Sequence, residues 1–126
     1  MNDLSIAATQ SSPAVNSNWQ HGLLSMCGDS YPENSFELFD PVINWVERYL
    51  DESDAPLRLE LHLLYLNTSS IKAVMDIFDL MEEAHRRSRP VSVCWYYDED
   101  NPRAAELAAE FKEDCSFPFD ILSKTS

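Results

Sequence analysis

The sequence predicts a single α/β domain spanning residues 1–126: a mixed β-sheet of about five strands flanked by helices, in the order β-β-α-β-α-β-α-β. Three observations predict it. Apolar residues alternate with a period of two over 57–66 and 90–97, and recur every three or four residues over 36–50 and 69–88. Those are the periodicities of strands and helices. After two opening strand-type runs, strands and helices follow one another in turn, the order of strands joined by helical crossovers. A length of 126 residues, 44% of them hydrophobic, suffices for one such core and no second domain.

Residues 1–18 are polar apart from short apolar stretches at 4–6 and 14–15, and predict a loose start followed by an edge strand at about 12–17. The next strand covers 22–28, bracketed by Gly22 and Gly28, and the short link 16–21 makes the pair an antiparallel hairpin. A turn cluster occupies 29–34. Phe36, Phe39, Ile43, Val46 and Leu50 form a helical stripe. Pro41 removes one backbone hydrogen bond, so the helix is expected as an initial turn at 34–39 and a main body to about 51, with Pro41 as the place for a kink.

The strongest strand is 57–66. Leu57, Leu59, Leu61, Leu63 and Tyr65 share one face, while Arg58, Glu60 and His62 give way to Leu64 and Leu66 on the other. That apolar end predicts cover on both sides. Asn67-Thr68-Ser69-Ser70 supplies helix-capping residues before a helix at about 69–88. Ile71, Val74, Met75, Phe78, Met81 and His85 line one stripe of it, with Ala73, Ile77, Leu80 and Ala84 beside them. The width fits a helix sunk between sheet and neighbouring helix, or a face partly open to a partner. Residues 90–97 form the next strand, 98–101 a turn, and Pro102 the first position of a helix to about 114. A short strand at 117–122 ends the series.

Nine Lys and Arg stand against 22 Asp and Glu, a net charge of −13, and the first basic residue is Arg48. Nucleic acids and anionic membranes are bound through clustered cations, so neither is an expected partner. A protein is. No apolar run approaches the ~18–20 residues of a membrane span, and residues 1–10 lack the features of a signal peptide, so the expected setting is the cytoplasm. Two glycines cannot build a P-loop or a GxGxxG turn. Cys27, Cys94 and Cys115 have the spacing of neither a disulfide framework nor a zinc site. Cys27 and Cys94 lie in apolar runs and are expected to be packing residues. No cofactor or metal is expected.

Asp98-Glu99-Asp100 resembles the acidic pocket of a receiver domain. A receiver, however, has five βα units and an acceptor Asp ending its third strand, where this chain has Asn67. The cluster reads instead as a solvated turn with Asp100 or Asn101 capping the next helix. His21, His62 and His85 fall on a loop, a strand and a helix without metal-ligand spacing. No GxSxG elbow is present, so pairing of Ser69 or Ser70 with His62 or His85 as nucleophile and base is not expected. No catalytic residue is predicted. The segment 67–70 is the most informative. It has two readings: a helix cap alone, or an exposed hydroxyl at a helix N-terminus that accepts a phosphate.

The segments Gly28-Asp29-Ser30-Tyr31-Pro32-Glu33-Asn34, Leu64-Tyr65-Leu66-Asn67-Thr68-Ser69-Ser70-Ile71-Lys72, Val91-Ser92-Val93-Cys94-Trp95-Tyr96-Tyr97 and Glu113-Asp114-Cys115-Ser116-Phe117-Pro118-Phe119, with Trp45 in a helix, resemble the SiaC family of bacterial regulatory phosphoproteins over nearly the whole chain. The resemblance implies a STAS-like fold, that of anti-sigma factor antagonists, with a phosphorylatable hydroxyl opening the helix after a central strand. It implies Thr68 as the phospho-acceptor, flanked by Asn67, Ser69, Ser70 and Lys72. It further implies a non-enzymatic partner switch. A SiaB-type kinase adds the phosphate, a SiaA-type PP2C phosphatase removes it, and the unphosphorylated protein stimulates a SiaD-type GGDEF diguanylate cyclase. The output is cyclic di-GMP, hence aggregation and biofilm. The alternative is a STAS anti-sigma factor antagonist, which usually carries Asp-Ser where this chain has Asn67-Thr68. Lys72, one turn after Thr68, is the obvious nearby cation, so a phosphate of about −1.5 to −2 would join an acidic surface and repel a partner.

Overall fold

The period-two runs become strands and the period-three-to-four runs become helices in the computed structural model, which describes residues 3–124. In chain order they are β1 (Ser5–Ile6), β2 (Ala14–Asn18), β3 (Leu23–Ser30), α1 (Ser35–Glu52), β4 (Leu57–Leu66), α2 (Thr68–Arg86), β5 (Val91–Asp98), α3 (Pro102–Glu113) and β6 (Phe119–Lys124). The sheet is mixed, as expected, but has six strands rather than about five. The addition is β1, whose two residues are too few to show a period and which exists by pairing Ser5 with Asn16 and Ile6 with Val15.

Strand order follows chain order, β1-β2-β3-β4-β5-β6. The first two pairings are antiparallel and the last three parallel. Each crossover helix therefore moves the chain one strand onward in the same direction. Right-handed crossovers then put α1, α2 and α3 on the same face of the sheet. Burial agrees. Leu57, Leu59, Leu61 and Leu63 of β4 are buried, while Arg58 is exposed and Glu60 and His62 are half-buried. The core lies between one sheet face and three helices, and the other face is largely open.

Two expectations about packing are corrected. Helix α1 runs unbroken through Pro41, and it buries Leu38, Phe39, Val42, Trp45, Val46 and Tyr49. Phe36, expected in the core stripe, is 75% exposed. The buried face is set by an aromatic cluster: Trp45 stacks on Tyr49 at 5.4 Å and Trp19 meets both edge-on. The apolar end of β4 is not covered on both faces. Gly28 pairs with Leu63 but Ser30 with Leu66, so β4 holds an extra residue there. Such a bulge reverses the alternation beyond it. Leu66 turns into the core at 5% exposure and Tyr65 turns out at 56%. Helix α2 is sunk as the simpler reading required, with Ala73, Val74, Ile77, Phe78, Met81 and Ala84 buried, although Met75 is exposed.

Glu82 is a charged side chain taken into this core. Its Oε1 accepts the Ser116 N–H at 2.7 Å and its Oε2 lies 3.5 Å from Arg86 Nε. The Ser116 N–H holds the carboxyl below the usual carboxylate range, with Arg86 and His85 adding to the effect. A carboxyl whose folded pKa lies below its unfolded value of ~4.3 stabilises fully above that value. The stabilisation is lost as pH falls through the lower, folded pKa. Glu82→Gln is expected to lower stability by about 1–3 kcal/mol at pH 7. The deficit should shrink on acidification below about pH 4. Urea melts of both proteins at neutral and acid pH check this; a pH-independent deficit would contradict it.

Candidate functional site

Strand β4 passes into α2 through a single residue, Asn67. Its backbone N–H donates to Ser30 O at 2.9 Å, tying the junction to the end of β3. Its side-chain Oδ1 accepts the Ser70 N–H at 3.0 Å and the Ser69 hydroxyl at 3.3 Å. Asn67 is thus the N-cap of α2, satisfying a donor that the first helical turn leaves unpaired.

The three hydroxyls that follow have three different fates. Ser70 is fully buried and shares a hydrogen bond of 2.8 Å with the equally buried Ser30. Ser69 is exposed, but its hydroxyl meets both Asn67 and the Ser35 hydroxyl at the first turn of α1. Thr68 occupies the first position of α2 and is exposed, and its hydroxyl has no hydrogen-bond partner among the described residues. The expected placement of Thr68 at an exposed helix start is what the structure has. Lys72 lies on the same helix, but its Nζ is 3.6 Å from Asp76 Oδ1 with both groups exposed. An exposed pair of this kind contributes roughly 0.3–0.5 kcal/mol.

An aromatic surface adjoins the junction. Tyr31, next to Ser30, meets Tyr65 edge-on with ring centroids 6.0 Å apart, and both are exposed. Phe36, next to Ser35, is the most exposed of the large apolar side chains among the described residues. Exposed Glu33 and Glu37 flank it. Ser30, Ser35, Tyr31, Phe36 and Tyr65 are the residues that sequence reasoning missed as part of this site. Phe36 and Tyr65 fit core stripes by spacing. Only the bulge in β4 and the serine contacts spanning 34 and 40 residues bring the group together.

The remaining candidates lie elsewhere. Asp98 ends β5 and pairs with His62, Nε2 to Oδ1 at 3.2 Å. Glu99 and Asp100 are exposed in the turn. Asn101 holds the cap position of α3, yet its side chain makes no capping bond and points back to Leu64 O at 3.5 Å. The expected cap from Asp100 or Asn101 is therefore not made. Pro102 at the helix start has no N–H to satisfy, which lessens the need for one. His85 packs edge-on against Phe117, and neither His62 nor His85 bonds Ser69 or Ser70. No cluster of three or more His, Cys, Asp or Glu is placed to hold a metal among the described residues. Cys94 is buried as expected, but Cys27 is exposed, because its strand position faces the open side of the sheet.

The model of the SiaC family regulatory phosphoproteins matches residues 6–124. The chain belongs to the SiaC family. An uncharacterised protein of Pseudomonas aeruginosa is 66% identical over 121 residues, 96% of either chain. The solved structure of SiaC from Pseudomonas aeruginosa is 64% identical, with a TM-score of 0.93 over 98% of this chain and all of that one. A second solved structure, of the diguanylate cyclase SiaD in complex with its activator SiaC from the same organism, matches with a TM-score of 0.94 and 65% identity, covering 97% of this chain and all of that one. The family's role is regulatory rather than enzymatic, and so is this chain's. No described helix is long and apolar enough to cross a membrane.

Proposed function

We propose that the chain is a phospho-switch that binds and activates a GGDEF diguanylate cyclase while Thr68 is unphosphorylated. A SiaB-type kinase phosphorylates Thr68 and releases the cyclase; a PP2C-type phosphatase restores binding. The setting is the cytoplasm and the output is cyclic di-GMP, hence biofilm and aggregation. The activator role of the similar Pseudomonas aeruginosa SiaC supports the choice of partner. The observation that carries the reading is the sorting of hydroxyls at the start of α2: Ser70 is buried, Ser69 is engaged, and Thr68 is exposed and unbonded. The adjoining Tyr31, Tyr65 and Phe36 supply the exposed aromatic surface that interfaces favour.

Kinase labelling tests it. Thr68→Ala is expected to remain folded and to lose labelling while still binding cyclase, since a first-turn hydroxyl without a partner adds little stability. Ser70→Ala leaves buried Ser30 without its partner, so it should lose about 1–3 kcal/mol of stability yet keep its labelling. Undiminished labelling of Thr68→Ala would remove Thr68 as the acceptor and with it the proposed switch.

A further inference from the structure

The open face of the sheet carries a second constellation that the Thr68 switch does not use. Parallel pairing sets Cys27 of β3 directly beside His62 of β4, and the next strand, β5, contributes Asp98 at its end. Cys27 Sγ lies 3.8 Å from His62 Nδ1, and His62 Nε2 lies 3.2 Å from Asp98 Oδ1. Cys27 is exposed, and His62 is partly covered between its two neighbours. We propose that Cys27, His62 and Asp98 form a thiol modification site for small, soft electrophiles, in which Cys27 is the nucleophile, His62 its base and Asp98 the positioning residue.

The chemistry follows from the two ring nitrogens. The Asp98 carboxylate accepts a hydrogen bond from Nε2–H, which selects the tautomer with a bare Nδ1. Nδ1 faces the sulfur and takes the S–H proton, and the thiolate is the reactive form. With a haloacetamide, the sulfur attacks the CH2 carbon, the C–S bond forms, the C–halogen bond breaks and halide leaves with the bonding pair. The imidazolium then returns its proton to solvent. The product is a stable thioether with no further leaving group on sulfur, so the site is modified once rather than turning over. A metal is not the better reading, because Cys27 and Asp98 lie on opposite ring nitrogens. The other thiols differ in kind. Cys94 is buried, and burial pushes the half-buried Cys115 thiol up to about 11, with Glu82, Asp114 and Asp79 adding to the rise.

The test is alkylation of the full chain with iodoacetamide at pH 7, followed by intact mass and mapped to residues by peptide mass spectrometry. Cys27 is expected to react first, roughly tenfold faster than the cysteine of a synthetic peptide covering residues 24–30, since the peptide has no imidazole placed to take the proton as the sulfur attacks. His62→Gln should remove most of that advantage. Asp98→Asn should do the same, whereas Asp98→Glu, which keeps the carboxylate, should restore much of it; a purely structural role for Asp98 would not separate these two. Circular dichroism verifies folding of each variant. A wild-type Cys27 that reacts no faster than the peptide, or an Asp98→Asn rate equal to wild type, overturns the proposal.

Discussion

Phosphorylation of Thr68 should weaken cyclase binding by roughly 30- to 140-fold, ~2–3 kcal/mol, the scale of a like-charge clash at an interface. The chain already carries −13, and Lys72, the cation nearest in sequence, is engaged with Asp76. A phosphate of about −1.5 to −2 therefore adds to an acidic surface and projects its charge toward a partner. Thr68→Glu should act in the same direction but less strongly, with one charge and fewer acceptor oxygens. Neither change should weaken the fold, because the first turn of α2 has no acidic residue and an anion at a helix N-terminus is favourable. Titration of the cyclase against wild-type, phosphorylated and Thr68→Glu protein, beside thermal melts, separates the two effects. Undiminished binding by the phosphorylated form would end the off-switch reading, and a loss of binding matched by a loss of melting temperature would assign it to unfolding.

Gly22→Ala is expected to remove about 3–5 kcal/mol of stability, among the largest effects a single methyl group can have. Gly22 makes the turn between β2 and β3 with φ +64°, in the left-handed region. That conformation alone penalises an alanine by ~1–2 kcal/mol. An added Cβ would also collide with Pro56 O and stand 2.5 Å from the Tyr49 hydroxyl. The Pro56 carbonyl is backbone just ahead of β4, and Gly22 O already accepts the Arg58 N–H at 2.8 Å. The turn cannot back away without unpairing β3 from β4. Tyr49→Phe in the same chain should rescue little, since the carbonyl remains. Urea unfolding measures the change; a loss below about 1 kcal/mol would show that the turn yields.

Much of the architecture was legible because it rests on local pattern. Alternation in Leu57–Leu66 and Val91–Asp98 placed the central strands, and capping residues at 67–70 placed the start of α2 within one residue. The failures share a cause. Phe36 and Tyr65 both obey a core periodicity, yet both are exposed, because the face an element buries depends on its neighbours. Strand β1 was invisible because two residues carry no period. Cys27, in an apolar run, fits a packing residue by sequence, but an apolar run does not reveal that one sheet face has no helices over it.

The sequence by itself determined the α/β class, the acidic surface that disfavours nucleic acid, the family and the position of Thr68 at a helix start. These depend on composition, periodicity and contiguous motifs, all properties of neighbouring residues. Only the tertiary structure decided which hydroxyl is free. Ser69 and Ser70 are locally as suitable as Thr68, and what distinguishes them is Ser35 and Ser30, 34 and 40 residues away. Only the tertiary structure, too, set Cys27 beside His62 through the β3–β4 register and brought Asp98 at the end of β5 to the same ring, contacts between residues 35 and 36 apart in the chain.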